Sequence, residues 1–410
     1  MSFESPRSAV VLVIDQLGAS CLSPFGNTWY QTDNLCRIAA ESMLFDFAIS
    51  DSPDMRQSIE SLWRGTHAAG NTQSTSNVHL AEIAARSGGA STLITDHVEV
   101  ADMEAAAAFD RTVVHESVCP PVPASGVADT AVGNFFVRAL PELEKIDDGD
   151  LLWLHCSGLA GPWDAPMDLR HLWVDEDDPD PPEFTEAPDR SFDHKEDPPD
   201  LLLGYQQVCA AQVYILDQMA GILFDQFDAM DSLQSTMLVI TSTRGTATGE
   251  HRHIGRPVDL FNESIHVPLM IRYPDKSFAL QRSHQLVQPG FTHRLIADWL
   301  GGSDREVETD AFLPQGDLPV LTDDRYQIAI SVCDDLKAIQ TPQWKLIRSP
   351  DGTTQLFVKP DDRWEVNDVA SRCRHIVDLL EVLLDECLQK LASGESVKNV
   401  QVPEELDVQL

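Results

Sequence analysis

Two short runs of this sequence end in residues that can do chemistry. Ala9 to Ile14 reads Ala-Val-Val-Leu-Val-Ile and is followed by Asp15, Gln16 and Leu17. Thr236 to Thr241 is followed by Ser242, Thr243, Arg244 and Gly245. Asp15 offers a carboxylate, Gln16 a neutral carbonyl oxygen and Thr243 a weaker hydroxyl oxygen, and hard divalent cations take oxygen donors. Arg244 is a fixed cation; it cannot ligate a metal and would repel one. A third cluster, Gly249-Glu-His-Arg-His253, holds residue types common in transition-metal sites. Glu250, His251 and His253 are too close in sequence to converge easily, and no fourth ligand is evident, so a polar loop is the preferred reading. Eight cysteines are scattered without CxxC spacing and read as mostly buried thiols.

The elements that must hold these residues follow from hydropathy. Ala9 to Ile14 and Thr236 to Thr241 are continuous β-branched apolar runs, the pattern of buried parallel strands. Ser91 to Thr95 and Leu151 to His155 read as further strands. Helical spacing runs from Asn34 to Ala40 with Asp33 as N-cap, and a long amphipathic helix is predicted over Leu201 to Phe227. Strands alternating with helices predict an α/β fold: a large, doubly wound, mostly parallel sheet flanked by helices. Ligands in such sheets sit at the carboxyl ends of the strands, where Asp15 and Thr243 lie. Residues 163–200 are rich in Asp, Glu and Pro and read as a solvated loop, with a lid over that edge as the alternative. After about Leu321 the pattern changes to short antiparallel strands, Tyr326 to Val332, Leu336 to Ile347 and Gln355 to Val358. A helix from about Cys373 to Leu391 follows. The expected division is residues 1–320 as the α/β domain and 321–410 as a small α+β domain.

The chain has 410 residues, enough for both units, and a formal charge of −37. Such a surface repels nucleic acid and anionic membranes, so neither is expected as a partner. It suits a salty medium, where screening removes self-repulsion. The apolar stretch near the N-terminus is too short for a signal h-region, and no run approaches the roughly 18 apolar residues of a membrane span. A cytoplasmic protein is the expectation.

Taken in order, these segments resemble the sulfatases of the alkaline-phosphatase superfamily. Val11-Leu-Val-Ile-Asp-Gln-Leu17 is similar to the family's first strand, which ends Asp-Asp-Leu. Ser23-Pro-Phe-Gly26 resembles its Gly-Cys-Tyr-Gly turn, and Thr32 to Ser42 its Thr-Pro-Asn-Leu-Asp-Arg-Leu helix. Ser61-Leu-Trp-Arg-Gly-Thr-His67 resembles Leu-Leu-Thr-Gly-Arg. Leu238 to Gly245 resembles Phe-Thr-Ser-Asp-His-Gly. Gly249-Glu-His251, Gly255-Arg256 and Val267 to Arg272 follow without a gap. Trp344-Lys-Leu-Ile347 and Glu365-Val-Asn-Asp368 resemble the family's small domain.

The resemblance implies metal ligands from Asp-Asp after the first strand and Asp-His after the later one. Asp15-Gln16 and Thr243-Arg244 stand there, so one carboxylate of three survives. It implies a formylglycine nucleophile made from Cys in Cys-x-Pro-x-Arg. That position falls on Met55, between Asp54 and Arg56, with Gln57 and Ile59 at the Pro and Arg positions. A thioether has no proton to lose. Ser52 and Ser58 are the nearby hydroxyls that a shifted register would use. Arg256 stands for the family's Lys, and Ala160 for a His, with His155 upstream.

No cofactor is therefore expected; the alternative is one Ca²⁺ or Mg²⁺. Arg244 is expected to take the metal's place and pair with Asp15. Arg56, Arg244, Arg256 and His251 are candidates for holding a small anion or a sulfated or phosphorylated ligand. Three functions stay open: a metal-free anion-binding or regulatory module, a sulfate or phosphate ester hydrolase with a rearranged site, and a scaffold for a paralogous sulfatase.

Overall fold

The computed structural model describes residues 7–70, 78–193, 195–230, 233–256, 258–301, 327–395, 397 and 400–407. The strands are β1 (Ser8–Ile14), β2 (Met43–Ile49), β3 (Ser91–Thr95), β4 (Arg111–Val114), β5 (Leu151–Cys156), β6 (Arg190–Ser191), β7 (Thr236–Thr241), β8 (Ala247–Thr248) and β9 (His253–Gly255). They continue with β10 (His266–Val267), β11 (Leu269–Arg272), β12 (Gln281–Val287), β13 (Ala329–Cys333), β14 (Leu336–Gln340), β15 (Trp344–Arg348) and β16 (Thr354–Val358).

The main sheet runs β10-β2-β11-β7-β1-β5-β3-β4, with β12 paired to β2. β7, β1, β5, β3 and β4 are parallel neighbours, and antiparallel β11 follows on the β7 side. Alternation along β1 divides the core into two layers. Val10, Leu12 and Ile14 pack with residues of the helices Ala131–Leu143 and Pro199–Ala229. Ala9, Val11 and Val13 face the helices Met55–Arg64, Leu80–Arg86 and Pro289–Gly301. Each such buried Val, Leu or Ile contributes about 1.5–3 kcal/mol relative to exposure.

The second sheet is β13-β14-β15-β16, all antiparallel. One face packs Ile330, Ile339, Leu346 and Leu356 against Leu380 and Leu384 of the helix Arg374–Ala392. The other face packs Ala338, Ile347 and Phe357 against Ile49, Leu260 and Ile265 of the large sheet and its loops. The expected fold class is the observed one. A third, three-stranded sheet joins β6, β9 and β8.

Several boundaries differ from the sequence reading. Thr32, not Asp33, precedes the helix Asp33–Ala40; its hydroxyl accepts from the Ser23 amide, so Asp33 falls in the first turn, where a carboxylate suits the helix dipole. The stretch Leu336 to Ile347 is a hairpin, β14 and β15, because it breaks at Thr341–Gln343. The expected boundary at 320/321 and Tyr326 lie outside the described residues.

The acidic loop is anchored as well as solvated. Fully buried Arg170 donates to the carbonyls of Trp163, Ala165 and Phe184, and Trp163 and Phe192 are buried. Its Arg190 and Ser191 join β9. Asp200–Ala229 is long and apolar enough to cross a membrane by length and composition, which the sequence reading did not anticipate; 83 % of its apolar window is buried inside the fold.

Candidate functional site

Register brings the reactive residues together. Val13 pairs with Thr241 on one side and His155 on the other, and Thr95 pairs with His155. Asp15, Asp96-His97, Ser157 and Ser242-Thr243-Arg244 therefore leave four adjacent strands at one edge. Gly158 allows this closeness. Its φ is +54°, and a Cβ there would meet the Asp15 carbonyl oxygen at 2.5 Å.

Asp15 is fully buried. Its Oδ1 accepts from the Gln16 amide at 2.9 Å, from Arg244 Nε at 3.0 Å and from the Thr243 hydroxyl. Its Oδ2 accepts from Arg244 Nη2 at 2.8 Å. Arg244 also donates from Nη1 to the Pro53 carbonyl at 3.2 Å. The guanidinium thus binds the carboxylate in a two-point fork and ties β1 to the segment before the helix Met55–Arg64. Burial by itself would raise the Asp15 carboxyl. The Arg244 charge and hydrogen bonds, the nearby His155 and the Thr243 hydroxyl outweigh it and hold the group below its ordinary value.

Met55 opens its helix because Asp54 caps it, accepting from the Gln57 amide at 3.0 Å. The Met55 side chain is buried in the apolar layer. Ser58 is buried, and its hydroxyl donates to the Thr243 carbonyl at 2.8 Å. Ser50 donates to the same oxygen at 2.7 Å, and Ser52 accepts from the Asp54 amide. The Ser58 hydroxyl ties the Thr243 turn to the helix, and that of Ser50 ties it to the end of β2.

The four anion-binding candidates separate. Arg244 is committed to Asp15. Arg56 is half-exposed, 3.8 Å from Glu99. His251 places Nδ1 2.5 Å from Glu263 and Nε2 3.1 Å from the Glu365 carbonyl, and stacks on Phe261 at 3.6 Å. Burial works against its charge, but the Glu263 hydrogen bond and charge prevail and raise it to about 9. Both its ring nitrogens are engaged. Arg256 is exposed. His253 turns to Asp189 at 2.9 Å, and Glu250 accepts from the Thr248 amide, so the Gly249–His253 cluster does not converge.

Three nearby groups were not singled out as site residues from sequence, or not at all. Asp96 accepts from the Ser157 amide at 2.6 Å and hydroxyl at 2.7 Å; burial still pushes it up to about 6. His155 is fully buried, with no hydrogen-bond partner on either ring nitrogen among the described residues, and burial takes it down to about 4. Half-buried His97 lies edge-on to it, centroids 6.4 Å apart. Asp96 and His97 directly follow a strand, the same signal that singled out Asp15.

These residues do not fit a divalent cation. Ca²⁺ takes six to eight oxygens and Mg²⁺ six. Both Asp15 oxygens here carry hydrogen-bond donors, and one donor is itself a cation. Among the described residues no three His, Cys, Asp or Glu side chains converge as a metal site.

A family model for sulfatases matches residues 7–302. The chain belongs to the sulfatase family. No curated protein matches it in sequence. Among solved structures, the phosphonate monoester hydrolase of Agrobacterium radiobacter superposes with TM-score 0.73 at 15 % identity, covering 94 % of this chain and 95 % of that one. A protein solved with its substrate D-glucosamine-2-N,6-O-disulfate gives 0.71 at 17 %, with 97 % and 100 % covered. The phosphonate monoester hydrolase from Silicibacter pomeroyi gives 0.67 at 14 %, with 94 % and 95 % covered. At these identities the likeness is one of fold. Like this sulfatase-family chain, they match over nearly their whole length, so the small antiparallel sheet is part of the shared architecture.

Proposed function

We propose that this sulfatase-family chain does not hydrolyse sulfate esters by metal and formylglycine, and works as a metal-free binding or regulatory module for a small anion. The observation that carries this reading is Met55. It stands where the family resemblance puts the nucleophile, its thioether is buried in the apolar layer, and it has no proton to lose. Of the two hydroxyls nearest in sequence, that of Ser58 is turned onto the Thr243 carbonyl and that of Ser52 accepts from the Asp54 amide. The anion class rests on the fold neighbours, one a phosphonate monoester hydrolase and one solved with a disulfated sugar, and on the Arg244 guanidinium at the carboxyl edge, which keeps two N–H groups beyond those given to Asp15 and Pro53.

The test is an assay with aryl sulfate, aryl phosphate and aryl phosphonate esters, each with EDTA and with Ca²⁺, Mg²⁺, Mn²⁺ or Zn²⁺. No turnover above the buffer rate is expected under any condition. Turnover restored by a divalent ion would make the chain a hydrolase with a rearranged site. Calorimetric titration with inorganic sulfate is expected to give heat at millimolar anion; none would reduce the arginines to neutralising an acidic neighbourhood.

A further inference from the structure

A buried carboxylate at a ligand-binding strand edge needs a cation, and the nature of that cation decides what the site responds to. An exchangeable metal ion makes the site depend on metal concentration by mass action. A side chain of the same protein does not. Asp15 holds such a side chain. Four donors reach its two oxygens, and two of them belong to one guanidinium. The substitution is concerted. The Thr243 hydroxyl donates to the carboxylate, and the next residue supplies the positive charge. Their shared turn is braced by Ser50 and Ser58. Pro53 fixes the far nitrogen of Arg244, so the group cannot swing out without breaking a second contact.

Arginine has five N–H donors in a rigid plane. Three are engaged, with Asp15 and the Pro53 carbonyl. Two have no protein acceptor among the described residues, on a side chain that is 7 % exposed.

We infer that Arg244 is the resident cation of this site: clamped by Asp15, its guanidinium takes the place a divalent ion would need on that carboxylate, and its two remaining N–H groups receive a small oxyanion. The second clause rests on the anion-binding reading above; the first stands without it. His97, which follows β3 at the same edge and lies edge-on to His155, would flank the ligand.

The first experiment uses the unaltered protein. Divalent ions are counted per chain after purification in buffer containing Ca²⁺ and Mg²⁺, and the unfolding temperature is read with EDTA and with millimolar Ca²⁺. No stoichiometric ion and no shift in either direction are expected. One tightly held ion per chain, or a lower unfolding temperature in EDTA, overturns the resident cation. The second is sulfate titration in EDTA with wild type and Arg244→Lys, which keeps the charge and loses the fork. Binding about tenfold weaker in the variant is expected; equal binding overturns the role of the two N–H groups. Ester turnover by EDTA-treated protein would defeat the proposed function and leave Arg244 as assigned.

Discussion

Asp15 is fully buried, so its charge is stabilised by its ion pair with Arg244. Breaking a buried pair by removing one partner costs about 3–5 kcal/mol, because an uncompensated charge remains. Arg244→Ala is therefore expected to lower unfolding free energy by about that amount, measured by denaturant titration. Asp15→Asn combined with Arg244→Met removes both charges and is expected to cost much less than Arg244→Ala. Equal losses in the single and double variants would mean that packing, not charge, holds the turn. His155 presents the opposite case. Its imidazole is buried without a hydrogen-bond partner among the described residues, so the structure keeps it neutral.

At the scale of elements, the small sheet is tied to the large one by charge as well as by the apolar faces. Glu365 is buried and forms ion pairs with Lys345 of β15 at 2.8 Å and with Lys359 at 2.5 Å, and its Oε2 accepts from Lys345 at 3.1 Å. It also accepts from the Asn262 amide at 2.9 Å, and its carbonyl lies 3.1 Å from His251 Nε2. Asn262 opens the helix Asn262–Ile265 and His251 lies in the segment between β8 and β9, both after β7, so Glu365 links both sheets. Two lysines share it. Burial lowers Lys359 to about 8, with Glu365 opposing that shift and the Lys345 charge adding to it. Glu365→Gln is expected to destabilise by about 3–5 kcal/mol, since two buried ammonium groups lose their counter-charge. Limited proteolysis should then cut β13 to β16 faster than the core of the large sheet. Uniform cleavage would show that the apolar interface alone holds them together.

For the whole molecule, pH and salt act through groups spread over the fold. His79 is lowered to about 3, and His155, His266 and His293 to about 4, each first by burial. Unfolded histidine titrates near 6.5. Between about 6.5 and 4 the unfolded chain binds more protons than the folded one, so stability falls as pH falls through that window. His251 has the opposite sign: raised to about 9, it stabilises fully below about 6.5, and that share is lost as pH rises through 9. The unfolding temperature is thus expected to drop on acidification from pH 7 to 4; above about pH 8 the loss at His251 is opposed by Lys359, whose lowered value makes stability rise with pH there. A formal charge of −37 adds self-repulsion, which NaCl screens. Added NaCl should raise the unfolding temperature at pH 7; a fall would mean that the surface ion pairs outweigh the net repulsion.

Much of this was legible in the chain itself. β1, β3 and β7 could be read within a residue of their ends, because fully buried strands need unbroken β-branched runs and cannot hide that pattern. The same runs placed Asp15 and Arg244 at the carboxyl edge of the sheet, and the types at those positions pointed to their ion pair. Tertiary structure decided the rest. Spacing cannot reveal that β5 lies between β1 and β3, which is what sets His155 and His97 beside Asp15 although they lie 140 and 82 positions from it in sequence. Nor can it show that Arg56, Arg256 and His251 turn to separate surroundings, or that Glu365 meets both Lys345 and Lys359. Strand composition is a local demand of burial. Which side chains meet at a strand end depends on sheet order, and sheet order depends on how all the helices cover both faces at once.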